Sequence, residues 1–240
     1  MPRFFCDNIV GSTVTITGKD AHHISHVLRE KLGNNITVCD LKGFDYECII
    51  TEIMPDHVIL SVIEKRKTIS EPSVRLTLFQ ALPKGDKLEL IIQKAVELGV
   101  SEIVPVITKR CVSRPDYKSM KNKIERYNKI ALEAAKQSGR GIIPKVSDIV
   151  DFKTAIIKMC ESELSLFFYE SGGVSLSTLS DKMKSSISVM IGSEGGFEPS
   201  EALFAEQNNV VIATLGARIL RCETASLAAV SAIMYISGNM

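Results

Sequence analysis

Three glycines within five residues, Gly192, Gly195 and Gly196, stand between an apolar run ending at Ile191 and a helix-start signal, Pro199-Ser200-Glu201. Glycines so spaced let a backbone approach a ligand closely and adopt positive φ. A second unusual stretch, Thr214 to Ala225, follows the short apolar run Val210 to Ala213. Its Leu215, Ile219 and Leu220 can line an apolar slot, while Arg218 and Arg221 supply cations. Two polar, glycine-bearing loops at successive strand ends suit a binding crevice at the carboxyl edge of a sheet. Neither common phosphate cradle fits. A P-loop needs Lys-Ser/Thr after its last glycine, where this chain has Phe197-Glu198. A dinucleotide fingerprint is G-x-G-x-x-G early in a βαβ unit, whereas this loop is G-x-x-G-G, acidic and late in the chain. A ligand wanting backbone donors and acceptors, an apolar slot and little negative charge fits better.

The elements that must hold these loops change period near residue 72. Before it, Thr13–Ile16, Ile36–Cys39, Tyr46–Ile50 and Val58–Ile63 are β-branched, partly alternating and separated by turn residues, which predicts a small β-barrel. One helix interrupts them, from Asp20 as N-cap to about Arg29. Glu64 to Pro72 is polar and closed by proline, the pattern of a linker. Beyond it, apolar runs at Val74–Leu82, Ile103–Ile107, Leu164–Tyr169, Ser188–Ile191 and Val210–Ala213 alternate with helical patterns. Those helices are expected near Lys84–Leu98, Lys121–Gln137, Phe152–Cys160 and Arg221–Ile236. Such alternation predicts an α/β domain with a parallel sheet covered on both faces.

Composition narrows the class. No apolar run approaches the roughly 20 residues of a membrane span, and the start lacks the apolar region of an export signal. The 6 cysteines form no C-x-x-C pair, so free thiols in a reducing cytoplasm are expected, without disulfides or zinc. His22 and His26 share a helical face, but two histidines underdetermine a tetrahedral metal site and no metal is expected. The net charge of +1 hides an asymmetry. Between Lys109 and Lys145, 11 basic residues face 3 acidic ones, a density suited to phosphate contacts.

Several blocks together resemble the RsmE family of ribosomal RNA methyltransferases, within the SPOUT superfamily. These are Gly192-Ser193-Glu194-Gly195-Gly196-Phe197 with Glu201, and Leu215-Gly216-x-Arg218-Ile219-Leu220-Arg221-x-Glu223-Thr224-Ala225. Further blocks follow the same order: Arg3-Phe4-Phe5, His22 or His23 with Val27-Leu28-Arg29, Lys84-Gly85-Asp86-Lys87, Gln93 to Gly99, and Glu133 to Arg140. Ser193 departs from the proline of the family pattern but removes no donor.

The resemblance implies a PUA-like β-barrel RNA-binding domain over residues 1–70 and a SPOUT methyltransferase domain over 73–240, whose parallel sheet carries a C-terminal trefoil knot. It implies methylation of N3 of a uridine in 16S ribosomal RNA, by a cytoplasmic homodimer using S-adenosylmethionine, with the assembled small subunit as partner. Carried over residue by residue, it assigns the cofactor to Tyr169, Glu170, Ile191, Gly192, Glu194, Gly195, Gly196, Leu215, Gly216, Ile219, Leu220 and Arg221. Arg221 and Arg218 are the candidates for stabilising the anion formed at the base, and Glu194 or Glu223 for accepting its proton or orienting an arginine. Arg3, Arg29, Lys109, Arg110, Arg114, Arg126 and Arg140 are the candidate RNA contacts. The alternatives are a SPOUT methyltransferase acting on another rRNA or tRNA nucleotide, and a non-catalytic RNA-binding assembly factor.

Overall fold

The computed structural model describes residues 3–115 and 117–240, which divide into two compact units. The first comprises Met1–Glu71 and Ala135–Ile143. It contains β1 (Arg3–Phe5), β2 (Ile9–Val10), β3 (Thr13–Thr17), α1 (Gly18–His22), β4 (Asn35–Cys39), β5 (Phe44–Ile53) and β6 (His57–Lys67). The strands make one six-stranded sheet in the order β1-β4-β5-β6-β3-β2, antiparallel except where β1 meets β4. Alternation explains its core: Val14 and Ile16, Ile36 and Val38, Cys48 and Ile50, and Val58 and Leu60 are all buried at period-two positions.

Three details differ from the sequence expectation. The segment read as a linker is strand as far as Lys67, because Lys65, Arg66 and Lys67 continue the ladder opposite Tyr46, Asp45 and Phe44. The helix after Gly18 is α-helical only to His22 and continues as a π-helical turn over His23–Val27, with the His22 and His26 rings stacked 4.3 Å apart. It ends at Val27 rather than near Arg29, and Arg29, just beyond it, takes a left-handed φ of 55° and is exposed.

Third, Arg140 is not an RNA-facing residue but a buried one, 2% exposed. Its Nε and Nη2 donate to the two Glu71 oxygens at 2.9 Å each, and Glu71 also accepts the backbone N–H groups of Gly141 and Ile142. This fork fixes residues 135–143 within the first unit, and removing either partner would leave a buried charge uncompensated. Arg3 is likewise engaged, donating to Asp45 Oδ1 at 2.7 Å and to the Arg140 carbonyl.

The second unit comprises Pro72–Ala134 and Pro144–Met240. In chain order it holds β7 (Arg75–Ala81), α2 (Lys87–Glu97), β8 (Glu102–Ile107), α3 (Tyr117–Gln137, whose last residues belong to the first unit), β9 (Lys145–Val146), β10 (Val150–Asp151) and α4 (Phe152–Met159). There follow β11 (Leu164–Phe168), β12 (Val174–Ser175), a 3-10 stretch over Leu176–Lys182, β13 (Ser186–Ile191), α5 (Pro199–Gln207), β14 (Val211–Thr214) and α6 (Cys222–Ile236). All strand pairs are parallel, in the order β10-β8-β7-β13-β11-β14-β12 with β9 beside β8. The central strands β7, β11 and β13 are almost wholly buried, as expected of strands covered on both faces.

Two helix starts follow the capping rules. Asp151 accepts the Thr154 N–H at the start of α4, and α5 opens on a Glu198/Glu201 capping box with Pro199 in its first turn. Among the described residues no helix is long and apolar enough to cross a membrane.

Candidate active site

The strand order decides where the unusual loops meet. Parallel strands put all their carboxyl ends on one edge, so the segments after β7, β13, β11 and β14 emerge side by side. They enclose a cavity of about 490 Å³, within the range of small-molecule sites. Because β11 lies between β13 and β14, Tyr169 and Glu170 enter the wall between the glycine loop and the arginine loop. All twelve residues that the sequence assigns to the cofactor line this cavity, as does Arg218.

The glycine loop is held from below, behind and outside. Phe197, 1% exposed, packs its ring 4.2 Å from that of Phe167, and burying a phenyl group contributes about 1.5–3 kcal/mol. Gln80 donates its Nε2 to the Gly192 carbonyl at 3.2 Å, and Arg110 donates Nη1 to the Gly195 carbonyl at 3.1 Å. Glu201, 2% exposed, ties the loop's end to the segment after β8, accepting the N–H groups of Lys109 and Glu198 at 2.9 Å each. The glycines are required here. Gly196 has φ +64°, and a Cβ on it would collide with the Glu170 carboxylate. The Ser193 hydroxyl, at the position where the family pattern has proline, is buried and has no partner among the described residues.

The arginine loop is more open. Gly216 takes φ +101° and donates its N–H to Thr214 Oγ1. Ile219 is 87% exposed although it lines the cavity. Arg218 and Arg221 are exposed, and among the described residues their side chains make no hydrogen bond or ion pair.

Lys87, in the first turn of α2, is the residue to which sequence reasoning gave no role. Its Nζ sits 3.0 Å from Glu194 and 3.3 Å from Glu223, joining both candidate proton acceptors. Burial alone would raise the Glu194 carboxyl, but hydrogen bonds from Lys87 and from the backbone of Lys84 and Glu194 itself outweigh it and hold it below the usual range. Glu223 is lowered as well, first by its own backbone N–H at the α6 N-terminus, then by Cys222 and Lys87. Lys87 is raised, chiefly by its bond to Glu194. Burial and the neighbouring Glu223 push the Cys222 thiol up to about 12, so it is protonated and unreactive at neutral pH.

Of the RNA candidates in this unit, Lys109, Arg110, Arg114 and Arg126 are all exposed. Lys109 Nζ donates to Ser200, Arg114 donates to the Lys109 carbonyl, and Arg126 pairs with Glu89 at 2.7 Å. Lys109 and Arg110 thus flank the glycine loop directly, through Glu201 and the Gly195 carbonyl.

The family model described as RNA methyltransferase domain matches residues 70–234, and that described as RNA methyltransferase PUA domain matches residues 16–63. The chain belongs to the family of the ribosomal RNA small subunit methyltransferases E. It is 38% identical over 230 residues to the Bacillus subtilis member, spanning 93% of this chain and 90% of that one. The Mesomycoplasma hyopneumoniae member is 31% identical, with 95% and 96% of the two chains covered. Among solved structures, the ribosomal RNA small subunit methyltransferase E of Neisseria gonorrhoeae, bound to S-adenosyl methionine, superposes with a TM-score of 0.86 at 31% identity, covering 98% and 97%.

Proposed function

We propose that this chain transfers the methyl group of S-adenosylmethionine to N3 of a uridine in 16S ribosomal RNA. The observation that carries the reading is the convergence of the glycine and arginine loops on one cavity, with backbone amides and carbonyls on one wall and two unpaired arginines on the other. The donor fits this wall: it needs close backbone approach, and glycine at 196, with a φ of +64° that side chains rarely adopt, keeps the backbone there bare. Bound there, S-adenosylmethionine supplies an electrophilic methyl group on a sulfonium.

The chain's own residues then have three tasks. The two loops hold donor and base in line, and positioning of this kind can contribute up to roughly 7–11 kcal/mol. Uridine N3 carries a proton that must leave, and the resulting anion spreads onto the two neighbouring carbonyl oxygens. Arg221 and Arg218 face that charge with nothing else to neutralise. Glu194 and Glu223 are both ionised at neutral pH, the state an acceptor requires, but Lys87 lowers their basicity. In this reading one of the two carboxylates takes the N3 proton or orients an arginine, while the arginines stabilise the anion left on the base.

Residues 1–70 serve in this reading as the PUA-like RNA-holding domain and 73–240 as the catalytic domain, with a trefoil knot near the C-terminus. Lys109, Arg110 and Arg114 supply phosphate contacts beside the cavity, and Arg29 and Arg126 contacts further from it. In this reading the protein acts as a homodimer, and the assembled small subunit in the cytoplasm is the substrate. Methyl transfer from labelled donor to assembled small subunits and to naked 16S rRNA, followed by nucleoside mass spectrometry, tests the assignment. Labelled 3-methyluridine supports it. Label in another nucleotide or in tRNA points to a different methyltransferase, and absence of donor binding in calorimetry points to an assembly factor.

A further inference from the structure

Gln80 is the one polar side chain in the run from Leu78 to Leu82, and it is fully buried on β7. A glutamine amide has a donor end and an acceptor end, and burial without partners at either would be costly. Both ends are used. Nε2 donates to the Ala81 carbonyl at 3.0 Å and to the Gly192 carbonyl at 3.2 Å, and Oε1 accepts the Ser226 hydroxyl. The opposite amide orientation would set an oxygen against two carbonyl oxygens, so the network fixes which end points where. Ser226 is itself buried, one turn into α6, and lies 2.8 Å from the Cys222 carbonyl. One side chain therefore grips the first residue of the glycine loop with one end and the first turn of α6 with the other. Arg221 is the residue on which α6 begins.

We propose that Gln80, with Ser226, is a positioning pair that fixes the spacing between the glycine loop and the start of α6, and through it the affinity of the methyl-donor cavity. The proposal rests on the reading of this cavity as the donor site. Leucine at position 80 keeps the volume and removes all three bonds, leaving the Gly192 carbonyl without its buried donor. Alanine at 226 removes only the link to α6.

The test is calorimetric titration of S-adenosylmethionine into the full chain, its Gln80→Leu and Ser226→Ala variants and the double variant, with hydrogen exchange of the amides from Gly192 to Phe197. Gln80→Leu should weaken donor binding by about tenfold or more and speed exchange across that loop, and Ser226→Ala should weaken binding by a few-fold. The double variant should be no weaker than Gln80→Leu, because both act through one chain of bonds. In turnover, the KM for the donor should rise while that for RNA stays fixed.

Unchanged donor affinity and exchange in Gln80→Leu, or singles whose effects multiply in the double, would overturn the proposal. Should Gln80→Leu fail to fold, unchanged exchange over Gly192 to Phe197 in Ser226→Ala would overturn it equally. A wild-type chain that binds no donor, while loop exchange still rises in the variants, would sink the donor-site reading and leave the positioning pair standing.

Discussion

The glycine loop and the arginine loop wall the same cavity but are held by different means. The first is tied at nearly every residue: Gly192 to Gln80, Glu194 to Lys84 and Lys87, Gly195 to Arg110, Phe197 to the core and Glu198 to Glu201. The second has one local turn at Thr214 and Gly216, then runs exposed to Arg221, where α6 takes over. A wall that recognises a ligand through its backbone must be pre-formed, since each degree of freedom lost on binding weakens affinity. The arginine loop also lines the cavity, but it leaves Arg218 and Arg221 without partners among the described residues, and its sparse tethering places it at the low end of local stability. On the proposed reading both walls hold the donor, and the division is between a rigid wall that presents backbone and a loose one that presents cations.

Perturbations of either wall test this division. The largest effect is expected from Gly196→Val, which combines an unfavourable φ of +64° with collision against Glu170. Donor binding should fall by about 100-fold or more in calorimetry, with the β-rich first unit still folded by circular dichroism. Retained binding would mean that the glycine wall is not the donor's wall. Arg221→Ala should come next, lowering kcat by roughly 10²–10³ while donor affinity falls far less. Equal losses in both would leave Arg221 a role in donor binding only.

Lys87→Gln bridges the two cases and should show itself in pH dependence. Glu194 and Glu223 are lowered, so their ionised, paired state is lost only as pH falls through those lowered values. Lys87 is raised, so the pairing is lost at the other end only as pH rises through its raised value. The trio is therefore intact across neutral pH. Without the lysine, the Glu194 carboxyl loses its main stabilising hydrogen bond and shifts upward, Glu223 less so, and the acid limb of the pH–rate profile moves to higher pH. An unmoved acid limb would remove Lys87 from the site's electrostatics.

The smallest effect is expected outside the cavity. Arg114→Glu should weaken RNA binding a few-fold and flatten its salt dependence by about 0.7–0.9 in log–log slope for each phosphate that is no longer neutralised. Arg110→Glu should do the same and also weaken donor binding, because Arg110 alone of the two touches the glycine loop.

Much of this was legible in residue order. Apolar runs punctuated by glycine and proline placed β7, β8, β11, β13 and β14, and 3.6-residue periodicity placed α2 and α3 within a few positions. The two-residue strands β9, β10 and β12 carry no pattern, since two residues cannot show a period. Both cavity loops were readable because glycine is costly unless its freedom is used. Gln80 was not, although a lone amide in the otherwise apolar run from Leu78 to Leu82 was the available signal. Arg140 was misread because a basic run looks alike whether its members face water or a buried carboxylate, and only the long-range meeting with Glu71 separates them.

The chain order of the cavity also bears on how the protein is made. Its braces, Gln80, Lys84, Lys87 and Arg110, are synthesised early, but the loops they hold come from residues 192–221, and α6 completes the sheet's cover only at Ile236. Even the N-terminal unit waits for residues 135–143 to supply the partner of Glu71. A nascent chain thus finishes neither unit before residue 143, and it acquires the cavity only once residues 192–221 have followed. A chain stalled before residue 192 already carries Gln80, Lys84, Lys87 and Arg110 with no loop for them to hold.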